Sequence, residues 1–116
     1  MNKTTILLIA FFAVNVLKAQ QVTQQETKFP DAKTMSNKNL TYSVISSPGS
    51  TFGYDIFADS KLLIHQPSVP GLTGNVGFRT KQSAEKIALL VIEKIRKGEM
   101  PPSVTEKEMR DLKAIP

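Results

Sequence analysis

Cysteine is absent from this 116-residue chain, and histidine occurs once, at His65. Without cysteine there is no disulfide and no thiol for a lipid anchor, so stability has to come from packing, a metal or a partner. The lone histidine also limits metal chemistry. A zinc site needs about four ligands, usually His and Cys, and only His65 with carboxylates such as Asp55 or Asp59 is on offer. No long hydrophobic run is present either. The longest, Ile6 to Leu17, is interrupted by Asn15 and falls short of the roughly 20 residues that cross a bilayer. GxSxG, GxxxxGK[ST] and GxGxxG strings are all missing, which leaves a nucleophile elbow, a P-loop and a dinucleotide fingerprint without support. Ser43 or Ser60 with His65 and Asp55 would be the nearest thing to a hydrolytic triad.

Residues 1–19, with Lys3 ahead of the apolar run and Ala19 at its end, have the organisation of a secretory signal peptide. Cleavage after Ala19 removes Lys3 and Lys18 and lowers the formal charge from +5 to +3. The expected product is exported, periplasmic or secreted, is not a lipoprotein and has no transmembrane segment. Its mild basicity alternates with acidic residues and comes without a stacking platform, which argues against a nucleic-acid partner.

Residues 20–39 are rich in Gln, Thr, Lys and Asn, with Val22, Phe29 and Met35 too scattered for a periodic face, and read as a flexible polar tether. Residues 40–116 form the expected single small domain. Leu40, Tyr42 and Val44 alternate with Thr41, Ser43 and Ile45 as in a strand, and Ser47-Pro48-Gly49-Ser50 supplies a turn. A second strand follows at FGYDIFA, and Asp59-Ser60 reverses the chain into KLLIHQ. The segment 67–77, with two prolines and three glycines, is a structured loop. Thr80 stands as an N-cap before apolar residues at Ala84, Ile87, Ala88, Val91 and Ile95, and Gly98 closes that helix. Thr105 to Glu108 is a capping box for a short last helix with Met109, Leu112 and Ile115 on one side.

These elements predict an α+β fold, a three-stranded antiparallel meander with room for a short fourth strand, packed by one long helix and followed by a short C-terminal one. Leu40, Tyr42, Val44, Phe52, Tyr54, Ile56, Leu62 and Ile64 are expected to face the helix. Ile45, Phe57, Leu63 and His65 then fall on the opposite face beside Asp55, an apolar patch that calls for a cover. Met100 to Ile115 folding back, or a partner, would provide it.

Four segments carry a family resemblance: F-G-Y-D-I at Phe52–Ile56, K-L-L-I-H-Q-P at Lys61–Pro67, P-G-L-x-G-N-x-G-F at Pro70–Phe78 and G-E-M-P-P at Gly98–Pro102. Together they resemble the small secreted bacterial proteins grouped as domain of unknown function 4907. That resemblance implies export and implies no activity, cofactor or catalytic residue.

Two candidate sites emerge from the residues. One is the patch Ile45, Phe57, Leu63 and His65. The other is an anion-binding loop of Gly71, Gly74, Asn75, Gly77, Arg79 and Lys81 running into a helix N-terminus, where free N–H groups favour phosphate, sulfated glycan or a carboxylate-bearing polymer. The expected function is therefore a non-catalytic accessory or binding module of the cell envelope, without a cofactor, whose partner is an envelope protein or polymer. A small hydrolase or metal-dependent enzyme centred on His65 is one alternative, and a structural or assembly component of the envelope is the other.

Overall fold

The computed structural model describes residues 30–116; the expected signal peptide, residues 1–19, and residues 20–29 of the expected tether lie outside them. Period-two alternation of apolar residues becomes a β1 strand at Leu40–Ser47 and a β2 strand at Thr51–Ala58, and β3 follows at Lys61–Gln66. The sheet order is β1-β2-β3, antiparallel throughout. Asp59 and Ser60, with φ of 48° and 67°, make the tight β2–β3 reversal, the left-handed pair that suits the twist of a hairpin. The Asp59 carboxylate is anchored by the Asn39 N–H at 2.8 Å and by Lys38, and both hold its pKa below the ordinary range.

The long helix spans Lys81–Arg96 and the short C-terminal helix Glu106–Asp111. Thr80 caps the first by accepting the Ser83 N–H, and Thr105 and Glu108 form the reciprocal capping box of the second. Ala84, Ile87, Ala88, Val91, Ile92 and Ile95 are the buried stripe of the long helix, and it lies on the face of the sheet that carries Tyr54 and Ile56. Burial pushes the Tyr54 phenol up to about 12.

Three expectations need correction. Within residues 30–39, expected to be tether, Ala32–Ser36 form a one-turn helix capped by Asp31, and Met35 packs against the core. In chain order the helices are therefore α1 (Ala32–Ser36), α2 (Lys81–Arg96) and α3 (Glu106–Asp111). The second correction concerns β3, whose register against β2 shifts between Ile56 and Phe57: Ile64 opposes Ile56, while Leu62 opposes Phe57. A bulge of this kind adds one residue and exchanges the faces beyond it. Leu62, expected in the core, is 58% exposed, and Leu63, expected on the open face, packs against the core.

The third correction is the C-terminal segment. Met109 and Ala114 are buried in the same cluster as the α2 stripe, whereas Leu112 is exposed. Lys86 donates to the Leu112 carbonyl at 3.1 Å, and Lys94 donates to the Ser103 carbonyl at 2.6 Å and ion-pairs with Glu108 at 2.7 Å. The segment thus lies against α2 and not on the opposite sheet face, which is met by the Pro67 backbone at its Ser47 and Gly53 end.

Candidate functional site

On the open face, side chains of neighbouring strands stand opposite one another. Ser43 faces Asp55, which faces His65, and the His65 Nδ1 lies 2.5 Å from an Asp55 carboxylate oxygen. Phe57, Thr41 and Leu62 gather at one end of this polar row, and Ile45 sits opposite Gly53 at the other. With Leu63 withdrawn into the core, the expected patch divides into two apolar ends around an Asp55–His65 pair. The order across the sheet is Ser, Asp, His. A charge-relay arrangement requires the histidine between nucleophile and acid, and here the acid is in the middle. Asp59 is engaged by Lys38 and Asn39 at the hairpin. Among the described residues no three His, Cys, Asp or Glu side chains are grouped closely enough to hold a metal ion.

The glycine loop is built differently. Phe52 and Phe78 exchange N–H···O=C bonds of 2.8 and 2.7 Å, so one residue of the loop adds a bridge to β2 where β3 does not reach. That bridge is all there is of a fourth strand among the described residues. The Gly77 N–H donates to the Thr51 hydroxyl at 2.8 Å. A Cβ on Gly77 would run into the Phe52 and Pro67 backbones, and one on Gly53 into Gln66 and Pro67; both glycines are there because two stretches of backbone cross at contact distance. Gly71 and Gly74 serve the turn itself, with φ of 76° and 101°.

Between this loop and the C-terminal segment lies a cleft of about 300 Å³. Val69, Phe78 and Ala114 give it an apolar floor, Leu72 and Val76 stand half exposed beside it, and Arg79, Glu106 and Arg110 supply charge. Arg110 is paired with Glu106 at 2.6 Å. Arg79 has no carboxylate partner among the described residues. Of the six residues of the expected anion loop, Gly77 and Arg79 line the cleft. Gly71, Gly74 and Asn75 are exposed away from it. Lys81 turns aside, its Nζ 5.7 Å from the centre of the Phe52 ring in a cation–π arrangement. The Thr80 hydroxyl already occupies the Ser83 N–H.

A family model described as Domain of unknown function (DUF4907) matches residues 44–111. The chain belongs to that family. The matched stretch runs from the middle of β1 to the end of α3, so in this member of the family the glycine loop, α2 and most of the sheet and cleft fall within it. No curated protein and no solved structure matches the chain.

Sequence reasoning missed Leu72, Val76 and Arg110. Leu72 and Val76 sit in a loop without periodicity, where burial leaves no pattern. Arg110 reads as an ordinary i, i+4 partner of Glu106. Only tertiary folding brings it to the mouth of a cleft whose other side lies far upstream in the chain.

Proposed function

We propose that this member of the family is a non-catalytic binding module whose cleft takes a ligand carrying both an apolar segment and an anionic group. The observation that supports this reading is Arg79. It is an unneutralised guanidinium at the rim of an apolar cleft flanked by half-exposed Leu72 and Val76, a combination that rewards an apolar body with a charged end. The signal-peptide organisation of residues 1–19 supports a module working outside the cytoplasm, and a polymer or amphiphile of the cell envelope that bears carboxylate or phosphate supplies the right chemistry. A hydrolase or metal-dependent enzyme centred on His65 has less support, because Asp55 separates Ser43 from His65. The experiment is a titration of the ¹⁵N-labelled protein with octanoate, which carries both features, and with inorganic phosphate, which carries one. Octanoate is expected to shift the amides of Val69, Leu72, Val76 and Phe78 saturably and more tightly than phosphate does, and Arg79→Glu to abolish the effect. Shifts that do not saturate, or that persist in Arg79→Glu, overturn the reading.

A further inference from the structure

The β1 strand leaves one side of the sheet open, and its backbone tells which groups are free. The Asp59 N–H donates to the Asn39 carbonyl at 2.9 Å, and Asn39 is the residue just before β1. In an antiparallel ladder such hydrogen-bonded pairs recur at every second residue. Thr41, Ser43, Ile45 and Ser47 therefore turn their backbone groups toward β2, and Leu40, Tyr42, Val44 and Ser46 turn theirs outward. The far side of β2 agrees with this phase, since Phe52, opposite Ser46, bonds away from β1 to Phe78. Among the described residues nothing bonds the outward groups of β1.

An edge like this one is normally defended by charge, proline, a bulge or brevity. LTYSVISS has none of these defences: eight residues, no charge, no proline and an unbroken register. It is also self-complementary. If a second copy runs antiparallel about a two-fold axis at Ser43, Leu40 opposes Ser46 of the other copy and Tyr42 opposes Val44, so that every outward N–H meets an outward carbonyl. On the open face Thr41 meets Ile45 and Ser43 meets itself. Aromatic with β-branched and β-branched with β-branched are favourable cross-strand pairs, and no like charges are opposed. Beside this edge, Tyr42 neighbours Glu85 of α2. Leu89, one helical turn further along the same flank, is 48% exposed and extends the apolar contact beyond the strands.

We propose that two copies of the chain pair through β1 about this axis, joining their sheets into one of six strands. An isologous contact of this kind closes on itself and removes the bare edges of both copies. It uses a surface separate from the Arg79 cleft and stands or falls independently of ligand binding there.

The lack of cysteine makes the test direct. The expressed full-length gene product is prepared as Ser43→Cys and, for comparison, as Thr41→Cys, and each is oxidised with diamide. The axis brings the α-carbons of the two residues 43 to about 4.5 Å across a non-hydrogen-bonded pair, within disulfide reach, whereas the two residues 41 stand several positions apart. Ser43→Cys is expected to give a covalent dimer at least tenfold faster than Thr41→Cys, with wild-type mass by light scattering rising from monomer toward dimer as concentration rises. Amide exchange of the wild type is a second readout that needs no substitution. Tyr42 and Val44, unpaired in a monomer, are expected to become protected with increasing concentration. Equal crosslinking rates for the two variants, or rapid exchange at Tyr42 and Val44 at every concentration, overturn the proposal.

Discussion

The two edges of the sheet are treated in opposite ways. On the β3 side a short strand begins at Lys61, carries a bulge at Leu63 and runs into Pro67. Pro30, Met100, Pro101 and Pro102 line a cleft beside it together with Leu62, Leu63 and Ile64. Where β3 stops short, Phe78 bridges to Phe52. The β1 side has eight uncharged residues and no bulge, bridge or proline among the described residues. Unpaired strand edges invite pairing, so an edge guarded by several independent devices beside one guarded by none marks the bare one as a surface kept available.

The strongest way to break the contrast is to open the guarded side. Gly77→Val puts side-chain atoms where the Phe52 and Pro67 backbones already lie. Backbone has no room to yield, so a loss of about 4 kcal/mol or outright failure to fold is expected in urea unfolding. Gly71→Ala, in open space with φ +76°, is expected to cost about 1 kcal/mol by comparison. The bulge comes next. Leu63→Asp sets a carboxylate against the core and is expected to cost about 2 kcal/mol, while Leu62→Asp, one residue earlier on the solvent face, stays within about 0.5 kcal/mol. Equal costs at the two positions would refute the observed register.

Neighbouring leucines with opposite fates show why part of the fold is legible in sequence and part is not. β1 and β2 announce themselves by alternation, and the helices by their caps, because these signals are local and each is written in a few adjacent residues. KLLIHQ places three apolar residues in a row, and such a run fits either phase of a strand; the bulge chooses, and it is set by pairing with β2. One turn of helix at Ala32–Ser36 has too little length for periodicity, and its only apolar anchor is Met35. The C-terminal segment has an apolar side that suits either face of the sheet. Its destination is decided by Lys86 and Lys94 on α2, which bond carbonyls and a carboxylate far along the chain. The cleft needs Arg79 and Arg110 together, and no local pattern joins them.

Lys94 also steadies the segment that borders the cleft beside the guarded edge, since Ser103, whose carbonyl it holds, follows Pro102 directly. Its side chain is 15% exposed, and it keeps the Glu108 carboxyl, aided by the Thr105 N–H, down to about 2 from the ordinary 4.5. A carboxyl lowered on folding contributes stability above its unfolded value, and the contribution is lost as pH falls from 4.5 toward 2. Lys94→Met is expected to cost about 1 kcal/mol at neutral pH, discounted for the partial exposure of Glu108. It should also flatten the acid limb of the stability curve in that interval. An acid limb unchanged in the variant would show that Glu108 is held by its capping box alone.

The smallest effect is expected on the bare edge, and it separates folding from assembly. Ser46 is exposed, and its N–H points away from β2. Ser46→Pro therefore removes no ladder bond of the monomer, and an edge strand accepts proline where its N–H faces solvent. Unfolding at low concentration should move by less than about 1 kcal/mol. In the paired sheet the same N–H meets Leu40 of the second copy, so the substitution deletes one donor from each copy and adds ring bulk at the seam. Dimerisation, read by light scattering across a concentration series, should weaken at least tenfold while the monomer's unfolding curve stays in place. A loss of monomer stability comparable to that of Leu63→Asp would mean that β1 depends on its outward groups even alone, and the two edges would then differ in sequence without differing in use.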